Sequence, residues 1–243
     1  MSALIWLAPG DPFPPTSQAL DDPAGLLAAG GDLSPDTLLR AYRRGIFPWY
    51  CDGQPLLWWS PDPRLVLYPE QFHLSRRLAR SLTQPHWRFS LNHAFDEVIQ
   101  ACAQTPRRGQ RGTWITAEMT TAYHRLHRLG HAHSLEVWHD QRMVGGIYGV
   151  RVGRVFFGES MFSHVRDASK AAMAMLCRLH ASLHLSLLDC QVESAHLLTL
   201  GATTLPRREF ERLLEDLTQA PTPPWPRIAP GTLSFAGTGS GQG

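Results

Sequence analysis

Apolar and polar positions alternate in two different ways along this chain. From about residue 86 to residue 217 the periods are regular. Trp87–Leu91 reads as a strand, and Ala94–Ala103 carries Phe95, Val98 and Ile99 at helical spacing. Thr116–Leu129 predicts a helix, with Gly130 in the C-cap position that favours a residue without a side chain. Ser134–Trp138, a turn at His139-Asp140-Gln141, Arg142–Val150 and Arg154–Phe157 predict an antiparallel meander of three strands. A long helix over Ala168–Leu183, a strand over Leu185–Val192 and a short helix over Ser194–Leu200 follow. A last helix over Arg207–Leu217 has Phe210, Leu213 and Leu214 on one face. Before residue 86 the pattern is irregular. Residues 9–15 are Pro-rich and extended, Ser34-Pro35-Asp36 starts a helix that stops at Gly45, and Phe47–Tyr50 and Leu57–Pro61 alternate aromatics with breakers. Leu74–Leu82 is a short helix ahead of Gln84-Pro85. The pattern predicts an α/β (α+β) protein, with a small irregular N-terminal part ahead of a mixed, mostly antiparallel sheet. Strand–strand–strand–helix–strand–helix is the order of an N-acetyltransferase-like fold. From Pro221 onward the chain is rich in Pro, Gly, Ser and Thr, and disorder is expected there.

Composition narrows the function classes. The chain has 243 residues, 43% hydrophobic and 18% charged, enough apolar material for a substantial core. Its longest apolar runs, such as Ala171–Cys177, fall well short of the roughly 20 residues that span a bilayer. Met1–Leu7 lacks the basic start and long apolar stretch of a secretory signal, so a cytoplasmic location and no membrane partner are expected. Cys51, Cys102, Cys177 and Cys190 form no CxxC pair, and the histidines, including His124, His127, His131 and His133, lie in no metal-binding framework; no metal is expected. Lys170 is the single lysine. The arginines cluster at 40/43/44, 76/77/80 and 107/108/111, which suits local contact with RNA phosphates as well as it suits a codon bias.

Three segments carry residues that a plain core does not require. Glu159 is a charged residue in the largely apolar run Phe156–Phe162; it either pairs with a nearby arginine or serves a substrate. Asp189 and Gln191 share a strand face by the period of two, where they either meet solvent or orient an amine. Trp49 and Trp114 lie in breaker-rich loops beside arginines, where a tryptophan can stack on an unpaired base, although most tryptophans are core. There is no GxxxxGK[ST] loop and no GxGxxG fingerprint. The segment ahead of the long helix, Ser163–Lys170, lacks the glycines of a pyrophosphate cradle, which disfavours acetyl-CoA.

Together these segments resemble leucyl/phenylalanyl-tRNA–protein transferases. The resemblance is carried by Gly25–Ser34, Arg44-Gly45-Ile46-Phe47-Pro48-Trp49, Leu57–Arg64, Gly112–Thr116 and Tyr123–His127. It continues through Gly130–Ser134, Gly145-Gly146, Tyr148–Val150, Phe157–Ser163, Ala168–Lys170, Asp189–Val192 and Leu200–Ala202, in order from about residue 13 to residue 215. It implies a small N-terminal domain over 1–63 and an N-acetyltransferase-like (GNAT-like) aminoacyl-transferase domain over 64–218; the Pro/Gly-rich tail over 219–243, expected to be disordered, is not part of the resemblance. It also implies transfer of leucine or phenylalanine, and in some cases methionine, from aminoacyl-tRNA to a protein beginning with Arg or Lys, which creates an N-terminal degradation signal. No cofactor is implied, and a monomer is expected. By position, Glu159, Asp189 and Gln191 fall on the active-site residues, and Trp49 and Trp114 on residues that hold the terminal adenosine. Ile147, Leu176 and Leu188 fall to the amino-acid pocket. An acyl-CoA acetyltransferase and a non-catalytic RNA-binding module are the competing classes.

Overall fold

A computed structural model describes residues 4–105 and 115–235. The looser N-terminal pattern becomes a small sheet around one helix. β1 (Ile5–Leu7), β2 (Leu26–Gly30), β3 (Phe47–Pro48) and β4 (Leu57–Trp59) lie in the order β1-β2-β4-β3, and α1 (Pro35–Arg43) follows β2. The Ser34 hydroxyl accepts the Thr37 N–H at 3.3 Å and Pro35 opens α1, as the Ser-Pro-Asp start predicts. Strands β1 and β2 were not expected: β1 has three residues, and β2 is buried at four consecutive positions, so neither shows an alternating period.

The second sheet begins with β5 (Arg64–Leu67), followed by α2 (Arg76–Leu82), β6 (Trp87–Leu91), α3 (Phe95–Gln104) and α4 (Ala117–Arg128). The meander is β7 (Ala132–His139), β8 (Arg142–Val152) and β9 (Val155–Ser163). Then come α5 (Ala168–Arg178), β10 (Leu187–Gln191), α6 (Ala195–Leu198), β11 (Thr203–Leu205), α7 (Arg207–Leu217) and β12 (Ile228–Leu233). The eight strands run in the order β11-β5-β10-β9-β8-β7-β6-β12, antiparallel throughout except for the parallel pair β9–β10. The strand–strand–strand–helix–strand–helix order is therefore the observed one. The long helix is shorter than expected, ending at Arg178, where the Leu179 N–H caps back onto Met175 and a turn leads to His184 at φ +53°.

Apolar side chains cover both faces of this sheet. On one face α3 and α4 bring Val98, Ile99, Met119 and Leu126 onto Val150 and Phe157, and the same cluster takes in Leu38 and Ile46 of the N-terminal part and Phe210 of α7. On the other, Leu78 of α2 and Ala171 and Met175 of α5 meet Leu135, Ile147 and Leu188. Among the described residues no helix is long and apolar enough to cross a membrane.

The expectation of disorder from Pro221 onward does not hold as far as residue 235. β12 pairs with β6 through Ile228↔Leu91 and Leu233↔Phe89, and Trp225 is buried. Low-complexity composition hid three apolar anchors, Trp225, Ile228 and Leu233, for which an otherwise free edge of the sheet provides backbone partners. Residues 236–243 lie outside the described residues.

Candidate active site

Strands β9 and β10 pair in parallel through Leu187↔Val155, Leu188↔Phe156 and Asp189↔Phe157, and no pairing between them continues beyond. A cavity of about 450 Å³ is lined by residues of both strands from this point on. Each strand also carries an irregularity here. On β9 the register with β8 shifts between Tyr148↔Ser160 and Gly149↔Gly158, so Glu159 is the extra residue of a bulge. On β10 the register with β5 shifts between Asp189↔Val66 and Gln191↔Leu65, which leaves Cys190 unopposed and puts Gln191 at φ +64°. Despite the bulge, Asp189 and Gln191 share a side of the strand, as the period of two predicts: Leu188 and Cys190 pack into the opposite cluster, while Asp189 meets Arg64 and Gln191 meets Glu159.

Glu159 is 6% exposed and, among the described residues, has no arginine on it. Its Oε1 accepts the Tyr42 hydroxyl at 2.8 Å and the Gln191 Nε2–H at 3.0 Å, and its Oε2 accepts the Tyr123 hydroxyl at 2.6 Å. Burial pushes its carboxyl up to about 7, against the hydrogen bonds from Tyr123, Tyr42 and Gln191, and the charge of Asp189 adds to the rise. Proton counting points the same way. The two tyrosine oxygens also lie 2.7 Å apart. With Glu159 ionised, both tyrosine protons serve the carboxylate and that contact holds none; with a proton on Glu159, each of the three oxygen contacts can hold one.

Asp189 is closed off from solvent and paired. Arg64 Nε–H donates to its Oδ1 at 2.7 Å and Nη2–H to its Oδ2 at 2.6 Å, with both side chains almost wholly inaccessible. Arg64 Nη1–H donates to the Gly45 carbonyl at 3.0 Å, and the guanidinium carbon lies 4.8 Å from the ring centres of both Phe47 and Phe210. Gly45 sits at φ +69°, and a Cβ there would come within 2.9 Å of the Phe210 ring. Asp189 Oδ1 also accepts the Gln191 backbone N–H at 2.9 Å. Gln191 is thus held at both ends, by Asp189 at its backbone and by Glu159 at its amide nitrogen, and among the described residues its amide oxygen is left for another partner.

The remaining sequence-predicted residues divide. Ile147 and Leu188 line the cavity with Phe156, Met161, Met173 and Leu197, and the result is a mostly apolar floor. Leu176 does not line it: three residues beyond Met173 on α5, it is fully buried in the core, and Met173 holds the lining position. Trp49 lines the cavity beside Phe47 and Pro48, half-buried, its carbonyl accepting the Trp59 indole N–H at 2.6 Å and its ring 5.5 Å from that of Trp59. Trp114 lies outside the described residues, as do Arg107, Arg108 and Arg111. In the first arginine cluster, Arg44 donates to the carbonyls of Phe13 and Pro14 at 2.7 and 2.8 Å, a structural role. Arg77 of α2 pairs with Asp167 at 2.9 Å, while Arg76 and Arg80 are exposed. Among the described residues no group of three or more His, Cys, Asp or Glu stands together as a metal site would require.

Tyr42, Tyr123 and Arg64 belong to the site and were not assigned to it from the sequence. Their signal was present. A tyrosine on the apolar stripe of a helix, or an arginine opening an otherwise apolar strand, carries polar atoms that must find a buried partner.

Comparison with known proteins gives a consistent picture. The family model described as leucyl/phenylalanyl-tRNA protein transferase matches residues 66–215, and that of the N-terminal domain of the same proteins matches residues 31–62. A leucyl/phenylalanyl-tRNA--protein transferase of Paraburkholderia phytofirmans is 51% identical over 227 residues, covering 90% of this chain and 93% of its own. One from Saccharophagus degradans is 51% identical over 224 residues, 92% of each chain. One from Ralstonia pickettii is 50% identical over 230 residues, 91% of this chain and 93% of its own. Among solved structures, a GCN5-related N-acetyltransferase-like protein from Streptococcus suis aligns over 70% of this chain and 63% of that one, at 12% identity and a TM-score of 0.33.

Proposed function

The chain belongs to the leucyl/phenylalanyl-tRNA protein transferase family, and from that premise we propose that its cavity holds the leucyl or phenylalanyl group of an aminoacyl-tRNA during transfer to the N-terminus of an acceptor protein. The observation that carries this reading is the division of the cavity. An apolar floor of Ile147, Phe156, Met161, Met173 and Leu188 suits an aliphatic or aromatic side chain. Beside it stand Glu159 and the amide oxygen of Gln191, which no other described residue engages.

The reaction joins an amine to an ester that is already activated, so it needs no other energy source. The amine nitrogen attacks the ester carbonyl carbon, the bond from that carbon to the tRNA ribose oxygen breaks, and a proton lost by the nitrogen ends on the ribose oxygen. An N-terminal amine has an ordinary pKa of roughly 7.7–8.0, so a useful fraction is neutral near neutral pH. Gln191 accepts a hydrogen bond from that amine and aims it, and an amide is too weak a base to do more. Rate enhancement comes mainly from placement. Asp189 holds the Gln191 backbone and acts through it. Glu159, with a carboxyl near 7, can take either protonation state while the amine gives up its proton.

Acceptors beginning with Arg or Lys, a monomeric state and a cytoplasmic location are parts of the same proposal. The charge of Asp189 is neutralised by Arg64, whereas among the described residues Glu159 faces no cation, so Glu159 is the group available to a cationic acceptor. Trp49, at the rim and braced by Trp59, offers a face to the terminal adenine, a stack worth roughly 1–3 kcal/mol. Trp114 is proposed for the same base, residues 1–63 as the small N-terminal domain and 64–218 as the transferase domain.

Labelled Leu-tRNA mixed with the protein and two peptides, one starting with Arg and one with Ala, tests the proposal. Label is expected on the Arg peptide alone, without ATP or CoA. Transfer that requires acetyl-CoA, or tight tRNA binding with no transfer to either peptide, would overturn it.

A further inference from the structure

The C-terminal segment beyond α7 supports the cavity wall from behind. Trp225 lies against Phe156, with ring centres 5.6 Å apart and planes 30° from parallel. It also stacks on His133 at 4.6 Å and 6°, and the Arg151 guanidinium carbon stands 5.7 Å from its ring centre. Phe156 lines the cavity. Its ring lies over Gly149, where a Cβ would come within 2.7 Å of two ring carbons, so backbone bounds it on that side. The segment is tied down on both sides of Trp225. Arg151 Nη1–H donates to the Pro223 carbonyl at 2.8 Å, and β12 pairs with β6. Farther on, the Phe235 ring lies 5.7 Å from that of Phe89 and 4.9 Å from the Arg178 guanidinium carbon, and the Phe235 carbonyl accepts from Arg178 at 3.1 Å. All of this lies beyond residue 215, where the match to the family model ends.

We infer that residues 223–235 form a strap that sets the room available to the donor side chain, with Trp225 as a positioning residue that acts through Phe156. The inference rests on reading the cavity as the amino-acid pocket. An aromatic wall can recede only into empty space, and the Trp225 indole fills the space behind Phe156. With the indole removed, the surrounding side chains relax partly into the void and the pocket deepens. Leucine then fits loosely and phenylalanine gains room. Trp225 therefore bears on the choice between donors and leaves the bond-making groups at Glu159 and Gln191 as they are.

The test compares wild type, Trp225→Ala, Trp225→Leu and Trp225→Phe in transfer from Leu-tRNA and Phe-tRNA to an Arg-starting peptide, with kcat and KM measured for each donor. In Trp225→Ala the ratio of kcat/KM for Phe-tRNA over Leu-tRNA is expected to rise roughly tenfold, the low end of what one methylene of room decides in an apolar pocket. The change should fall mainly in KM, Trp225→Leu should lie between, and Trp225→Phe should restore most of the wild-type ratio. Circular dichroism identifies the variants that fold; if Trp225→Ala does not, Trp225→Leu is read by the same criterion. A ratio within twofold of wild type in a folded variant, or an equal fall in kcat for both donors, overturns the strap while leaving the transferase reading intact. Failure of the wild type to use either donor overturns that reading and the strap's role with it.

Discussion

Glu159 and Asp189 are both nearly closed to solvent at one end of the same cavity, yet their surroundings treat them in opposite ways. Asp189 faces a guanidinium across two short hydrogen bonds and has a structural partner for each oxygen. Among the described residues, Glu159 faces only neutral donors, two hydroxyls and an amide. Neutral donors stabilise a carboxylate less than an ion pair does, so burial wins at Glu159 and its carboxyl rises to about 7. A buried acid paired with a buried base is spent on holding the fold, here joining β5 and β10 to the end of α1. A buried acid among hydroxyls is left able to hold or release a proton near neutral pH.

That contrast can be broken in order of size. Arg64→Met should cost about 3–5 kcal/mol, because it strands the Asp189 carboxylate without its cation in a site with no access to water. Urea unfolding measures the loss. A cost below 1 kcal/mol would mean that the pair is not the anchor described.

Glu159→Gln should reverse the balance, lowering transfer roughly a hundredfold with little cost in stability at pH 8. The sign of the pH effect follows from the raised carboxyl. The folded state holds this proton more tightly than the unfolded chain, so the contribution is complete below about 4.5 and is lost as pH rises through about 7. Unfolding free energy of the wild type should therefore carry a fall across that window that the Gln variant lacks. Parallel pH–stability curves for the two proteins would show that Glu159 titrates normally.

The smallest expected effect is a shift of midpoint, read in a variant that breaks the same buried pair as Arg64→Met. The charge of Asp189 is one cause of the raised Glu159 carboxyl. Asp189→Asn removes it and leaves the Arg64 guanidinium uncompensated, so the Glu159 midpoint should move to lower pH in the pH–rate profile of whatever activity remains. An unchanged or higher midpoint would mean that the two carboxylates do not sense each other.

Much of this was legible in the chain itself. Periodicity placed β6 at Trp87–Leu91 and α7 at Arg207–Leu217 with their observed bounds, and the Ser34 start of α1 followed from capping chemistry. Glu159 stood out because a lone carboxylate in an apolar run must be resolved somehow, and Gln191 because it sits beside Asp189 at the end of an apolar strand. Local sequence could decide these things because helix caps and amphipathic stripes act over a few residues. The roles of Tyr42, Arg64 and Tyr123 could not be decided that way, since each meets its partner across 36 to 125 residues of chain. The bulges at Glu159 and Cys190 depend on register against a neighbouring strand, which no single strand's pattern contains. The tail shows the same limit from the other side. Its composition argues for disorder, and as far as residue 235 it orders because the edge of β6 and the face beside Phe156 provide partners that only the assembled sheet presents.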